Sequence, residues 1–195
     1  MTLLLQRGGT RFPGRRRTVR YATMASPFKL RAAVPADTPA LFSLVNAAYH
    51  AESGDVAPGF KNTLRFLSAD DGLSQSVADG RVVVAVDDGG ILGLLTFEPV
   101  VDSAGTKRMH FGPFATATRA RGTGVGAALL AELRNVAAAA GARSLDAEVV
   151  NHRYDLFPMY LSPKLGFRVV GSGAFPAPER TSRPCHFVCI RKALE

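Results

Sequence analysis

No run of this 195-residue chain approaches the ~20 apolar residues that a membrane helix needs, so no membrane partner is expected. Cysteine is scarce. Cys185 and Cys189 lie four apart in a run that reads as strand, and extended geometry separates their Cα atoms by roughly 13 Å. That is too far for a bridge, which predicts two free thiols and a reducing compartment. The first 24 residues contain no acid but hold Arg7, Arg11, Arg15, Arg16, Arg17 and Arg20. Without those six charges the net charge falls from +8 to +2. The remainder is therefore close to neutral, and no nucleic-acid face is expected.

What is present reads as one soluble globular domain, with 47% apolar and 21% charged residues. Residues 1–27 read as a separate segment, disordered and basic or like an organelle transit peptide. On the second reading the protein is mitochondrial or plastid, and otherwise cytoplasmic. Residues 28–195 form the domain.

Phe28–Ala33 reads as a first strand. Asp37 is a candidate N-cap, followed by the helical stripe Leu41, Leu44, Val45 and Ala48. An amphipathic piece follows at Thr63–Leu67. Arg81–Val86 and Ile91–Phe97 read as a hairpin turned at Asp87-Asp88-Gly89-Gly90. Arg108–Phe114 is a fourth strand. Val125, Ala128, Leu129, Leu133, Val136 and Ala140 keep helical spacing up to Gly141 as a C′ glycine. Ser144–Val150 is a strand and Asp155–Leu165 a helix interrupted at Pro158 and Pro163. Gly166–Gly171 and Cys185–Arg191 are the last strands. This order predicts an α/β fold, a mixed sheet with helices on both faces.

Between the fourth strand and the long helix stands Arg121-Gly122-Thr123-Gly124-Val125-Gly126-Ala127. Glycines at alternate positions remove the Cβ atoms that would block a ligand, and successive N–H groups at a helix start can hold a pyrophosphate. Arg119 and Arg121 add charge at the rim. Gly122-x-Gly124-x-x-Ala127 also satisfies a dinucleotide fingerprint, with Asp146 near the distance of a ribose acid. Against that reading, a polar stretch separates the turn from its strand, and four strands precede it.

Four segments together carry a resemblance. They are the glycine turn, Lys164-Leu165-Gly166-Phe167, Leu44-Val45-Asn46-Ala47-Ala48-Tyr49, and His186-Phe187-Val188 with Lys192. In their order along the chain they resemble the GNAT N-acetyltransferase family over about residues 28–195. The resemblance implies a mostly antiparallel sheet of six to seven strands and acetyl-CoA as co-substrate. The acceptor would be a small-molecule amine or a protein amine, the small molecule being preferred. It further implies that amides of Arg121 to Ala127 bind the pyrophosphate. Phe114 and Ala115 would bond the pantetheine arm and polarise the thioester, and Asn151 would touch the cofactor or close a strand end. Tyr49 and Glu52 would line the acceptor pocket. A non-catalytic acyl-CoA-binding module is the competing reading from another class.

Amide formation needs a neutral amine, a polarised carbonyl and a protonated leaving thiolate. Tyr160 is the candidate acid, although it stands six residues before Gly166 where the family tyrosine stands four before. Ser162 occupies that position and reads as a helix-end residue. Glu98, at a strand end, is the candidate base. Asp146 and Glu148 share one strand face, which either receives a cationic substrate or, as the preferred reading, is the solvent face, and His110 and His152 read as hydrogen-bonded polar residues. His186 and the two cysteines lack the geometry of a metal site, and none is expected.

Overall fold

Val82, Val83, Val84 and Ala85 are consecutive and all buried. A strand apolar on both faces needs cover on both, and the chain supplies it as two helical layers. The computed structural model describes residues 27–49 and 72–194, and the piece expected at Thr63–Leu67 lies outside them. The elements are β1 (Lys29–Ala32), α1 (Thr38–Tyr49), α2 (Leu73–Ala78), β2 (Val82–Asp87), β3 (Gly90–Val101), β4 (Lys107–Thr116), α3 (Val125–Ala139), β5 (Ser144–Val150), α4 (Phe157–Tyr160), β6 (Arg168–Ala174) and β7 (His186–Ala193). The strands form one sheet in the order β1-β2-β3-β4-β5-β7-β6. Every pairing is antiparallel except β4 with β5.

Alternation along the strands divides the core. Val83, Ala85, Leu95, Met109 and Phe111 face α3, and with Val125, Leu129, Leu133, Tyr160 and Phe167 they make the larger cluster. Val82, Val84 and Leu94 face Leu41 and Val45 of α1 and Leu73 and Val77 of α2. Burying each large aliphatic side chain stabilises by about 1.5–3 kcal/mol, so α3 is held chiefly by its inward stripe.

β5 occupies the expected residues, and Gly141 ends the α3 region at φ +69°. Three expectations are corrected. Asp37 does not cap α1. Its carboxylate accepts the Val34 N–H at 2.8 Å and pairs with Arg31 at 2.6 Å, because a 3-10 turn over Pro35–Asp37 precedes the helix. The helix expected over Asp155–Leu165 is one 3-10 turn and the four residues of α4. Thereafter the Gly166 N–H reaches back to the Ser162 carbonyl and turns the chain. The last two strands begin later than expected, at Arg168 and His186, since Gly166 (φ +70°) closes a turn and Pro184 and Cys185 are irregular.

Gly93 sets how closely α3 approaches the sheet. A Cβ there would stand 3.0 Å from the Ala115 carbonyl and 3.1 Å from side-chain carbons of Val125 and Leu129. Since the carbonyl is backbone, it cannot swing away. Gly93→Val is expected to lose about 1–3 kcal/mol of stability by overpacking. Urea unfolding measures this, and an unchanged midpoint would contradict the close approach.

Candidate active site

β4 and β5 bond to each other at only two register positions, Met109 with Leu145 and His110 with Asp146. Beyond them β4 runs on for six residues paired only with β3, and β5 continues paired only with β7. The strands thus open into a cleft through the sheet. A bulge assists the divergence, since Gly112 and Pro113 of β4 together oppose Thr96 of β3. Ala117 N–H donates to the Leu92 carbonyl at 2.8 Å. Strand alternation therefore turns the backbone of Ala115 toward β3 as well, and that of Phe114 and Thr116 toward the cleft. The pair expected at Phe114 and Ala115 is in this respect Phe114 and Thr116.

The glycine turn stands at the cleft mouth. Thr123 is fixed by its N–H and its hydroxyl, both donating to the Ala120 carbonyl. Gly124 is the residue before α3 and has φ +90°, a conformation costly for any side chain. The helical ladder begins with Ala128 N–H on the Gly124 carbonyl. The amides of Gly122, Gly124, Val125, Gly126 and Ala127 consequently donate to no carbonyl among the described residues, and the helix dipole adds to their pull on an anion. Gly126 leans on Phe114, whose ring would lie 3.3 Å from a Cβ at that position.

Arg119 departs from its expected place at the anion rim. Its guanidinium grips Asp87 of the β2–β3 turn through two hydrogen bonds of 2.7 and 3.0 Å. The Arg119 hydrogen bond holds the Asp87 carboxyl below its usual range, and Asp87 raises the arginine in turn. Arg119 therefore anchors the turn, while Arg121 makes no ion pair among the described residues. Asn151 takes the strand-end role. Its N–H and its side-chain oxygen bond the carbonyl and N–H of His186 at 3.0 and 3.1 Å, joining β5 to β7.

Tyr160 closes the α3 side of the cleft. It is 6% exposed and packs on Phe167 and Phe111, with ring centroids 5.6 and 6.5 Å away. Phe167 N–H donates to the Tyr160 carbonyl at 3.2 Å. The turn through Ser162 and Pro163 thereby absorbs the two extra residues, and Ser162 sits in it with its hydroxyl on the Met159 carbonyl. Burial raises the Tyr160 phenol above its ordinary range, with Tyr49 adding to the rise and Arg153 opposing it. Tyr49, at the end of α1, is 42% exposed. Glu52 lies outside the described residues. Arg153, whose bidentate partner is Asp155, was not foreseen, because nothing in Asn-His-Arg-Tyr-Asp marks it.

Glu98 is a solvated carboxylate, 63% exposed and paired with Arg81 at 3.3 Å. On β5, Glu148 is exposed as expected, but Asp146 is half-buried and engaged. Burial works to raise the Asp146 carboxyl, yet Arg191, Ser144 and Arg108 outweigh it and hold it low. His152 Nε2 lies 2.9 Å from the Pro184 carbonyl. His110 departs from expectation, since its Nε2 is buried with no hydrogen-bond partner. The signal available was its place in β4, where a polar side chain alternates with buried Met109 and Phe111.

The profile of the acetyltransferase (GNAT) family matches residues 45–167. No curated protein matches the sequence. Solved structures share the fold. A ribosomal-protein-alanine N-acetyltransferase from Brucella melitensis superposes with a TM-score of 0.65 at 23% identity, over 85% of this chain and 99% of that one. yncA from Salmonella typhimurium, solved with its cofactor acetyl-CoA, gives 0.63 at 17% identity over 87% and 95%. Arabidopsis thaliana Naa50, in complex with the bisubstrate analogue CoA-Ac-MVNAL, gives 0.64 at 14% identity over 86% and 99%. A family profile that spans most of the chain and a sheet split over a glycine turn agree, and the chain belongs to the GNAT N-acetyltransferase family.

Proposed function

We propose that this enzyme transfers the acetyl group of acetyl-CoA directly to the primary amine of a small molecule. The observation that carries the reading is the cleft between β4 and β5, whose outward amides continue into the glycine turn. The diphosphate would lie on the amides of Gly122 to Ala127. Arg121 stands beside them. The extended pantetheine arm would enter the cleft along β4 and take the hydrogen bonds that a neighbouring strand would take, at Phe114 and Thr116. Ala127 also borders a shallow hollow lined by Leu130, Arg134, Lys164, Phe167 and Lys192. Its three cations suit the phosphorylated nucleotide end of the coenzyme.

At the inner end of the arm the thioester lies between the two faces of the sheet. Attack by the amine builds negative charge on the carbonyl oxygen, which fixed N–H donors of β4 stabilise without reorganising. Collapse expels a thiolate. The Tyr160 hydroxyl, kept protonated by burial, supplies its proton. Tyr49 borders the opposite entrance, through which the amine arrives.

Release of coenzyme A thiol from acetyl-CoA, dependent on an added amine, tests the reading across polyamines, arylalkylamines, amino acids and peptides. Tyr160→Phe is expected to lower kcat by about 10²-fold, the lesser end of the range for general acid catalysis. Acetyl-CoA should bind it within about twofold of wild type by calorimetry. Unchanged turnover removes Tyr160 from the mechanism.

The same variant should alter alkaline stability. The folded phenol keeps its proton above the ordinary pKa of about 10, whereas the unfolded chain releases it there. The stabilisation tied to that proton is whole below about pH 10 and declines above it. Tyr160→Phe should therefore lose less stability than wild type between about pH 9 and 11, which paired urea titrations would show. Gly126→Val, which drives a Cβ toward the Phe114 ring, should weaken acetyl-CoA binding by roughly tenfold, about 1.4 kcal/mol. Undiminished affinity there would remove the turn from the binding site.

A further inference from the structure

His110 Nε2 is the one buried side-chain nitrogen or oxygen among the described residues without a hydrogen-bond partner. Such an atom is costly unless water or a ligand group completes it. With the ring proton on Nδ1, Nε2 carries a lone pair and needs a donor. Its position in the sheet indicates which donor. His110 forms the last rung between β4 and β5, so it stands at the closed end of the cleft. Met109 and Phe111 point to the α3 core, which puts the imidazole on the face covered by α1.

The surrounding charges are already committed. Glu98 lies directly opposite on β3 and is held by Arg81. Asp146 lies beside it on β5, gripped by Arg191 at 2.6 Å and by the Ser144 hydroxyl at 2.6 Å. Arg108, two residues earlier on β4, pairs with Asp102 and stands 3.9 Å from Asp146. α1, which packs over this strand, has no charged residue between Thr38 and Tyr49. Among the described residues the imidazole is thus the uncommitted base at the inner end of the cleft, whereas Glu98 is exposed and paired.

We propose that His110 is the proton acceptor for the incoming amine, acting through a water at the closed end of the cleft. This rests on the acetyl-transfer reading. An ammonium brings three protons. The first passes to His110 Nε2 and on to solvent, freeing the nitrogen lone pair to form the C–N bond as the thioester carbonyl opens. As the C–S bond breaks, the departing sulfur takes the Tyr160 proton. The phenolate recovers its proton from the tetrahedral nitrogen, and the third stays on the amide. The balance is one amide, one thiol and one proton released.

The test is kcat/KM against pH for wild type, His110→Gln and His110→Ala, with acetyl-CoA and 2-phenylethylamine, spermidine or a peptide with a free N-terminus. Both variants should fall about 10²-fold and lose the acidic limb of the wild-type profile. Their melting temperatures and acetyl-CoA affinity, measured by calorimetry, should match wild type. A merely structural histidine would leave the shape of the limb unchanged. An active wild type whose limb survives in both variants overturns the assignment alone. A wild type that binds acetyl-CoA but acetylates no amine removes the reading beneath it as well.

Discussion

Between β4 and β5 the hydrogen-bonded ladder ends at His110 and Asp146, and the outward backbone of the rest of β4 must find partners elsewhere or do without. Buried N–H and C=O groups are nearly always paired, so an open edge inside a sheet is a demand for a ligand. Two packing arrangements keep it open. On one side α3 is drawn in over Gly93 and Gly126, which fixes where the helix begins relative to the end of β4. On the other the aromatic group of Phe111, Phe167 and Tyr160 fills the space that a straight β5 partner would leave. The bulge at Gly112 and Pro113 lets β4 turn away without losing β3.

The anion site proposed beside this edge relies on backbone more than on side-chain charge. Arg119 is spent on Asp87, which ties the turn preceding α3 to the β2–β3 hairpin. The two side chains are exposed enough that the pair is worth little as stabilisation. Its importance is geometric, because it ties to the hairpin the turn that carries the free amides of Gly122 and of Gly124 to Ala127. The strongly basic composition is not a property of this site, since six of the arginines precede residue 25.

Local pattern made the elements legible and left their mutual placement unread. The alternation of Ser144–Val150 and the apolar stripe ending at Gly141 are periodic signals, and both elements stand where they were expected. Asp37 and Arg119 misled for one reason. A side chain read from sequence is assigned to the nearest backbone, but a nearby arginine or carboxylate offered each a stronger partner. The short α4 follows from Pro163 and from a turn whose bonds depend on the spacing to Phe167. The cleft itself could not be read from local pattern. It is a missing register between strands whose paired residues lie 36 apart, and nothing local in Phe111–Thr116 distinguishes an open edge from a paired one. His110 was hidden likewise, since whether a histidine is satisfied depends on what the neighbouring strands bring opposite it.

Direct transfer also agrees with what the thiols can do. An acyl-enzyme route would need a cysteine that ionises readily. Burial instead pushes both thiols up, and at Cys189 the carboxylates of Glu148 and Asp146 push further. Cys189 stands opposite Glu148 on β7, so β5 separates it from the cleft. Cys185 precedes that strand beside Pro184. Cys189 therefore does not stand on the edge that β4 leaves open. The groups that do adjoin the cleft, a buried phenol on one face and an unpartnered imidazole on the other, carry protons rather than acyl groups. Among the described residues, such proton carriers are what the proposed direct transfer to an amine requires.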